Sequence, residues 1–326
     1  MLLLGPLVWP ALRRLFRERI DSASPTLNAL HAHKEQTPTA GGLLMLVCIC
    51  CALGCCGVLT EPLVMGGFMG MLAFGLLGFI DDVIKAWTCQ RGLRLPVKLA
   101  AECLVCILWL ASWLCWGNPP LEMFREAGWW SVCAPQWFPW IWGIWGGILV
   151  LGLTNAVNFT DGLDGLAAGC LAIASGALTL LLLSPSLPSW AADWGLKDAS
   201  GPSALGWLSA ALLGSSLGFL WFNRYPARVF MGDTGALAAG AGLAWIGWLS
   251  HTELLLIGIT TVFLLELGSV ILQIASFKLT GKRLFRCSPW HHHFQFLGYH
   301  ESTIVSGLWW LQGTLAILLL LAWFTG

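Results

Sequence analysis

The sequence has 326 residues, of which 57% are apolar and only 10% are charged. A mean hydropathy of +0.75 is typical of a polytopic membrane protein and excludes an ordinary soluble domain. The formal net charge is zero, so overall charge says nothing about partners. No nucleic-acid partner is expected.

The apolar runs predict an all-α polytopic membrane protein with about ten transmembrane helices, in a single domain covering residues 1–326. A span needs roughly 20 apolar residues. Nine runs meet that length, at about 43–60, 62–80, 97–116, 140–158, 166–183, 204–222, 235–250, 254–277 and 304–325. A shorter run, residues 2–12, ends at Arg13 and Arg14. Eleven helical residues reach about 17 Å, so we expect a truncated first helix that enters at most one leaflet.

The basic residues are distributed unevenly between these spans. Alternating the spans leaves only Arg125 and Lys197 of the 17 Lys and Arg on one side. The positive-inside rule makes the other side cytoplasmic. Every cluster of unusual polar residues falls on that side, so we expect the active-site loops on the cytoplasmic face.

The first cytoplasmic loop contains Thr-Pro-Thr at residues 37–39, followed by Gly41 and Gly42. Pro38 fixes its own φ and moves the preceding residue out of the helical region. This predicts an extended turn before a helix that the glycines open. A simple helix start explains the motif, but Lys34 in the same loop could also direct its ammonium group at an anion.

The span at 62–80 leads into Asp81 and Asp82, with Lys85 one turn further on. Adjacent acids point to different sides of a helix. One can therefore bind a cation while the other faces a substrate or Lys85. A stop signal at the interface more often uses Lys or Arg than two aspartates, which favours a functional role.

Residues 155–169 read NAVNFTDGLDGLAAG and carry Asp161 and Asp164 three positions apart. If this segment is helical, both carboxylates lie on one face. A polar loop between two helices is the alternative, because Gly and Asp are common in turns.

Two acids, Glu102 and Glu266, lie within predicted spans. A carboxylate there must face the interior of the bundle or a cavity. Glu266 either lines a site or is paired and buried for structural reasons.

Residues 222–240 contain a glycine-flanked Asp233 that runs into another span. Backbone N–H groups at a helix start favour anions, whereas the aspartate favours a cation. Phe230 offers an aromatic face for a base, and Asn223 follows the preceding span. As a helix N-cap alone, Asp233 would be unexceptional.

The last cytoplasmic loop is basic and ends in three histidines at 291–293. Three consecutive residues of a regular helix cannot all bind one metal ion, so a zinc site is not expected. Histidine beside Lys and Arg suits phosphate. A basic patch at the membrane surface is the alternative.

Together these clusters place five aspartates, several cations and three histidines at one bilayer surface. Carboxylate oxygens favour Mg²⁺ or Mn²⁺, and phosphoryl transfer depends mostly on positioning and charge neutralisation. A transporter for an anionic solute is the other class considered. Transporters place their sites near the bilayer midplane, whereas these clusters lie at span ends.

The motifs TPTAGG, FIDDVIK, NAVNFTDGLDGLA, FN-YPA-VFMGDTG and SFKLTGKR-F---P-HHHF occur here in this order. In them the chain resembles the phospho-N-acetylmuramoyl-pentapeptide transferases, within the polyprenyl-phosphate N-acetylhexosamine-1-phosphate transferases. The resemblance runs from about residue 5 to the end. A transferase for UDP-N-acetylglucosamine is the alternative within the superfamily, and the PxHHHF context opposes it.

This resemblance implies a multi-pass protein of the bacterial inner membrane with ten transmembrane helices, a cytoplasmic Mg²⁺ site and commonly a homodimer. It also implies transfer of phospho-N-acetylmuramoyl-pentapeptide from its UDP-linked donor to undecaprenyl phosphate. The products would be UMP and lipid I, the first lipid-linked peptidoglycan precursor.

The resemblance also implies roles for individual residues. Asp233 would hold Mg²⁺, Asp81 and Asp82 would orient or deprotonate the lipid phosphate, and Lys85 would offset charge near it. The uridine and diphosphate pocket would comprise Asn158, Asp161, Asp164, Asn223 and Phe230, bordered by Lys34, Thr39 and Lys98. The histidines His291, His292 and His293, with His291 foremost, would contact the phosphate or sugar of the donor.

Overall fold

The computed structural model describes residues 1–16, 25–35, 37–88, 92–116, 138–184 and 200–325, which form α-helices and no β-sheet. The helices, in chain order, are α1 Gly5–Leu15, α2 Pro25–His31, α3 Gly42–Cys55, α4 Pro62–Trp87, α5 Leu95–Trp116, α6 Phe138–Thr160, α7 Leu166–Leu182, α8 Ser200–Asn223, α9 Gly232–Leu249, α10 Glu253–Ile259, α11 Thr261–Thr280, α12 Trp290–Phe296 and α13 Glu301–Thr325. A short 3₁₀ turn, Ala32–Lys34, follows α2.

Within the described ranges, six helices are long and apolar enough to cross a membrane: α4, α5, α6, α8, α11 and α13. The helices α3 and α7 are apolar but shorter. The predicted class, a helical multi-pass membrane protein, is therefore confirmed. The count of about ten spans stays a prediction.

Helix α9 lies at the centre of the bundle, and every residue from 233 to 249 is buried. Its small residues allow close approach of neighbouring backbones. A Cβ added at Gly240 would lie 2.5 Å from Cα of Thr154 in α6, and one at Gly78 in α4 would lie 2.3 Å from the carbonyl oxygen of Asp233. The start of α9 is thus fixed against α4.

The far end of α9 packs through tryptophans. Trp245 stacks on Trp109 of α5 with 4.8 Å between ring centroids, and Trp248 stacks on Trp142 of α6 at 4.1 Å. A glycine on α4 makes room for this packing, because a Cβ at Gly70 would lie 2.0 Å from the Trp109 ring. Large rings thus anchor one end of α9, and polar side chains surround the other.

The predicted span 254–277 is not one helix. It breaks at Thr260, whose φ of −106° and ψ of 18° separate α10 from α11. The Thr260 hydroxyl donates to the carbonyl of Leu256 at 2.6 Å, and that of Thr261 donates to Gly258 at 2.6 Å. Threonine hydroxyls that bond to carbonyls of the preceding turn bend helices. The prediction of one uninterrupted span was wrong. The run contains no proline, so nothing in the sequence indicated the break.

The short first helix is present as α1, which has eleven residues. Its buried face packs on α8, where the Trp9 and Phe222 rings lie 5.5 Å apart. The following Phe16 lies against Phe79 and Trp87 of α4. The length expected from the sequence is confirmed, and the contacts tie α1 to the ends of α4 and α8.

Two segments far apart in sequence pair before α3 and α9. The amide of Phe230 donates to the carbonyl of Pro38 at 2.8 Å, and the amide of Gly41 donates back to Phe230 at 2.9 Å. The amide of Gly42 continues this pairing with Met231 at 3.0 Å. The predicted extended turn at residues 37–39 is confirmed, and α3 begins at Gly42 as expected.

Candidate active site

Two lysines and three aspartates meet where α4 ends and α5 and α9 begin; we call Asp81, Asp82, Lys85, Lys98 and Asp233 the α9 cluster. Lys85 Nζ lies 2.7 Å from Asp81 Oδ2 and 2.8 Å from Asp233 Oδ1. Lys98 pairs with the other oxygen of Asp233. Both oxygens of this aspartate therefore face a positive charge.

The adjacent acids of α4 point in different directions, as predicted. Asp81 faces Lys85, and its Oδ1 accepts the amide of Leu93 at 2.6 Å. Asp82 instead accepts the amides of Asp233 and Thr234, both at 3.0 Å, and the Thr234 hydroxyl at 2.6 Å. Asp82 thus satisfies amides that the first turn of α9 leaves without helical partners. The sequence analysis did not foresee the contact with Thr234.

Helix α6 adds amide groups to this cluster. With its amide nitrogen toward Asp233, Asn158 donates to Oδ1 at 3.2 Å and its oxygen accepts from Lys98 at 2.9 Å. One turn earlier, Asn155 donates to Glu102 at 2.6 Å. Glu102 is fully buried, which confirms that it faces the bundle interior.

The start of α9 requires glycine at position 232, where φ is +71°. A Cβ there would lie 2.5 Å from Asp82 Oδ2 and 2.9 Å from Thr39 Oγ1. Thr39 is buried beside this turn, whereas Phe230 is half-buried. The TPTAGG and MGDTG motifs therefore meet at the α9 cluster.

A second group of charges, the Lys34 cluster, consists of Lys34, Asp164 and Glu301. Lys34 Nζ lies 2.7 Å from Asp164 Oδ1 and 2.6 Å from Glu301 Oε1. Glu301 also accepts the amide of Asp164 at 2.6 Å, and Asp164 Oδ2 accepts the amide of Ala227 at 2.8 Å. Glu301 was not predicted as part of a site, because one acid in the first turn of a helix is an ordinary choice.

Residues 161–165 form a turn between α6 and α7, so the loop interpretation of this segment is confirmed and the helical one is wrong. Gly165 has a φ of +82° and reverses the chain before α7. Asn223 accepts the amide of Gly165 at 3.0 Å and donates to Val229 at 2.9 Å. Asp164 is buried within the turn and Asp161 is half-buried.

The three consecutive histidines have different surroundings. His291 is fully buried beside Glu266, while His293 accepts the amide of Arg286 at 3.2 Å. His292 Nδ1 lies 2.8 Å from the Gln295 oxygen, and Gln295 nitrogen lies 3.2 Å from His31. The three rings therefore have different polar partners, and those of His291 and His292 also pack against each other.

Burial keeps two rings of this region uncharged. Burial, followed by the charge of Lys34, lowers the pKa of His31 to about 4. Burial, followed by the adjacent His291, lowers the pKa of His292 to about 2. At neutral pH both rings are therefore neutral neighbours of the Lys34 cluster.

The candidate site residues all lie within the described part of the chain and fall into three places, whereas Arg125 and Lys197 lie outside it. The α9 cluster, with Thr39 and Asn158 beside it, holds one group. The Lys34 cluster and the 161–165 turn hold Lys34, Asp161, Asp164 and Asn223. The histidines on α12 lie near that turn. All belong to the end of the bundle where α4, α6 and α8 finish and α5, α7 and α9 begin.

The fold and this site define a class: an all-helical multi-pass membrane protein with buried acids and lysines at one end of its bundle.

A family model described as glycosyl transferase family 4 matches residues 64–251. Three relatives are each named phospho-N-acetylmuramoyl-pentapeptide-transferase. The one from Heliobacterium modesticaldum is 40% identical and covers 94% of this chain and 89% of its own. Those from Desulfitobacterium hafniense and Koribacter versatilis are 37% and 36% identical, covering 100% and 94% of this chain and 95% and 86% of their own. The chain belongs to the phospho-N-acetylmuramoyl-pentapeptide-transferase family, which confirms the resemblance seen in its motifs.

Proposed function

We propose that this protein transfers phospho-N-acetylmuramoyl-pentapeptide from its UDP-linked donor to undecaprenyl phosphate, releasing UMP and forming lipid I. The observation that carries the proposal is the α9 cluster, where Lys85 and Lys98 converge on Asp233 at a helix start. The names of the relatives support the transferred group, phospho-N-acetylmuramoyl-pentapeptide, and the UDP-linked donor and lipid acceptor follow from the family resemblance. We also propose an inner-membrane location with this end of the bundle cytoplasmic, and a homodimer, both from the family resemblance.

The charges of the α9 cluster suit two anionic substrates. Lys85 and Lys98 each have a carboxylate partner that a phosphate oxygen can replace. The start of α9 adds backbone N–H groups and the positive end of the helix dipole. Because phosphoryl transfer relies on positioning and charge neutralisation, these groups would bind the donor diphosphate and bring the lipid phosphate in line with it.

The residues present fit a catalytic Mg²⁺ held mainly by Asp233. Among the described residues, no three His, Cys, Asp or Glu side chains converge as a metal site. Mg²⁺ commonly takes one or two carboxylates and completes its shell with water and substrate phosphate. Asp81 and Asp233 both lie within 2.8 Å of Lys85 Nζ, so a cation between them is already favoured. When bound, Mg²⁺ would neutralise charge developing on the diphosphate.

At the acceptor end, Asp81 would act with Lys85 to orient the lipid phosphate. Asp82 would hold the start of α9 through its bonds to Asp233 and Thr234. Deprotonation of the lipid phosphate by one of these two acids stays a prediction.

At the donor end, the 161–165 turn would receive the nucleotide. The proposed contacts are Asn158, Asp161, Asp164, Asn223 and Phe230, bordered by Lys34, Thr39 and Lys98, with His291, His292 and His293 near the phosphate or sugar. Asp164 and Lys34 are paired with each other. A nucleotide base binding here would therefore replace part of that pair or lie beside it.

UMP release from the purified protein tests the function. UDP-N-acetylmuramoyl-pentapeptide and UDP-N-acetylglucosamine would each be supplied with and without undecaprenyl phosphate. We expect release only from the first donor, and only with the acceptor present. Release from UDP-N-acetylglucosamine alone would favour the alternative transferase. Absence of acceptor-dependent release from both donors would overturn the proposal.

A further inference from the structure

Glu266 of α11 and His291 of α12 form a pair that is completely buried. The backbone amide of His291 lies 3.2 Å from both carboxylate oxygens of Glu266. The ring nitrogen Nδ1 lies 3.1 Å from Oε2 of the same carboxylate. One acid therefore fixes both the main chain and the ring at the start of α12.

The two ring nitrogens of His291 differ in what lies beside them. Both are buried, and neither makes a well-aligned hydrogen bond to any residue in the described ranges. Nδ1 has the Glu266 carboxylate beside it, and Nε2 does not. Nε2 faces Gly162, where an added Cβ would lie only 2.4 Å away. A buried polar atom without a partner is costly, so such an atom beside a proposed donor turn indicates a ligand contact.

The carboxylate determines which nitrogen carries the hydrogen. Because Nδ1 faces an acceptor oxygen, it keeps its hydrogen in both the neutral and the protonated ring. Nε2 then carries the lone pair of the neutral ring and presents it toward Gly162. A carboxylate behind a functional histidine sets ring orientation in this way in other proteins.

We propose that Glu266 is a positioning residue that holds His291 with Nδ1 protonated and directs Nε2 at the sugar-phosphate donor bound beside Gly162. The inference rests on the proposed function and deepens it. The neighbouring titratable groups are His292, whose ring centroid lies 4.1 Å from that of His291, and His31. The charge of Lys34 acts on both of these rings, and that of Asp164 acts on His31. The carboxylate that lies against the His291 ring is that of Glu266.

The sharpest test is Glu266→Gln, which preserves shape. The glutamine oxygen can still accept the His291 amide, but its NH₂ group facing Nδ1 would move the ring hydrogen to Nε2. We expect UMP release to fall about 10²-fold, with the pH dependence of turnover altered and the melting temperature close to that of the parent. Ser269→Ala is the matched control, because Ser269 bonds to the Glu266 carbonyl from the same helix. It should retain activity within about two-fold.

A second set of variants keeps the test decisive if Glu266→Gln does not fold. Gly162→Ala should displace the ring and lower activity about as much as His291→Ala. In the double variant the space left by the ring accommodates the new methyl group, so activity should equal that of His291→Ala. Additive losses in the double variant, or full activity in a folded Glu266→Gln protein, would overturn the proposal.

Nitrogen NMR of histidine-labelled protein distinguishes a failure of this proposal from a failure of the proposed function. Nδ1 of His291, assigned by loss of its signal in His291→Ala, should carry a hydrogen in the parent at neutral pH. A hydrogen on Nε2 alone would refute the positioning role of Glu266. The expected tautomer in a protein that releases no UMP would instead refute the proposed function alone.

Discussion

The α9 cluster and the Lys34 cluster both place aspartates against lysine at the same end of the bundle. They differ in solvent exposure and in the ratio of lysines to acids. In the α9 cluster two lysines face Asp81 and Asp233, and the Lys85 side chain is 36% exposed. In the Lys34 cluster one lysine serves two acids, and all three side chains are 7% exposed or less. The first can exchange a partner for a ligand at a smaller desolvation cost, whereas the second holds three chain segments together and exchanges a partner at a larger cost.

The physical reason lies in desolvation. A buried ion pair loses its water on both partners, and removing one partner leaves the other charge uncompensated. Lys34 therefore joins the 3₁₀ turn, the 161–165 turn and the start of α13 only while both acids are present. A partly exposed lysine such as Lys85 keeps some water and loses less when its carboxylate binds something else.

The largest expected effect separates the α9 cluster from the 161–165 turn beside the Lys34 cluster by metal dependence. Asp233→Asn should nearly abolish turnover and weaken the response to Mg²⁺, because it removes the proposed metal ligand at the start of α9. Asp161→Asn, in the turn, should mainly weaken donor binding. Titrating activity against Mg²⁺ for both variants checks this. A normal Mg²⁺ response in Asp233→Asn, with loss of that response in Asp161→Asn, would assign the metal to the turn.

The next effect concerns the cap of α9. Asp82→Asn should lower turnover by about 10² while donor binding stays near normal. It should also lower the melting temperature, because its new NH₂ group opposes a donor from Asp233 or Thr234. Kinetics with varied lipid phosphate, donor calorimetry and thermal unfolding measure the three quantities. Equal loss of donor affinity would place Asp82 at the donor end.

Much of the site could be predicted from the sequence because acids are rare in an apolar chain. Asp81, Asp82 and Asp233 were found by that contrast, and helical geometry gave the divergence of the first two. The pairing of Lys34 with Glu301 could not be found, because it joins residues 267 positions apart and depends on tertiary packing.

The fold, too, could be predicted from the sequence only in part. Run length predicted the long apolar helices and the short α1, but not α2 or α12. It did not reveal the break at Thr260, where threonine hydroxyls compete for backbone carbonyls in an otherwise apolar run. Run length also did not reveal that α9 is enclosed by other helices. A run of apolar and small residues has the same composition whether its neighbours are lipid or protein.

A smaller effect on turnover is expected in the Lys34 cluster. Glu301→Gln leaves Lys34 with one carboxylate and should cost about 1–3 kcal/mol, seen as a melting temperature lower by a few degrees. Turnover of the folded protein should stay within a few-fold. Glu61→Gln, which removes an exposed acid at the start of α4, is the control and should change neither. A large loss of turnover with unchanged stability in Glu301→Gln would contradict the structural role of this cluster.

The smallest effect is a pH dependence of stability at the edge of the Lys34 cluster. Burial lowers the pKa of His292 from 6.5 to about 2, so between these values the unfolded chain binds a proton that the folded protein does not. Stability contributed by the neutral ring is therefore present above pH 6.5 and is lost as the pH falls below it. From pH 7.5 to 5 the loss from this ring is at most about 2 kcal/mol.

Lys34, His31 and His291 bear on this ring electrostatically, and Gln295 hydrogen-bonds to it. His292→Gln removes the titrating group and leaves an amide that can still meet Gln295. The melting temperature of this variant should therefore fall less than that of the parent between pH 7.5 and 5. If the melting temperatures of the two proteins fell equally between pH 7.5 and 5, the ring would titrate similarly in the folded and unfolded states. The burial that characterises the Lys34 cluster would then not extend to α12.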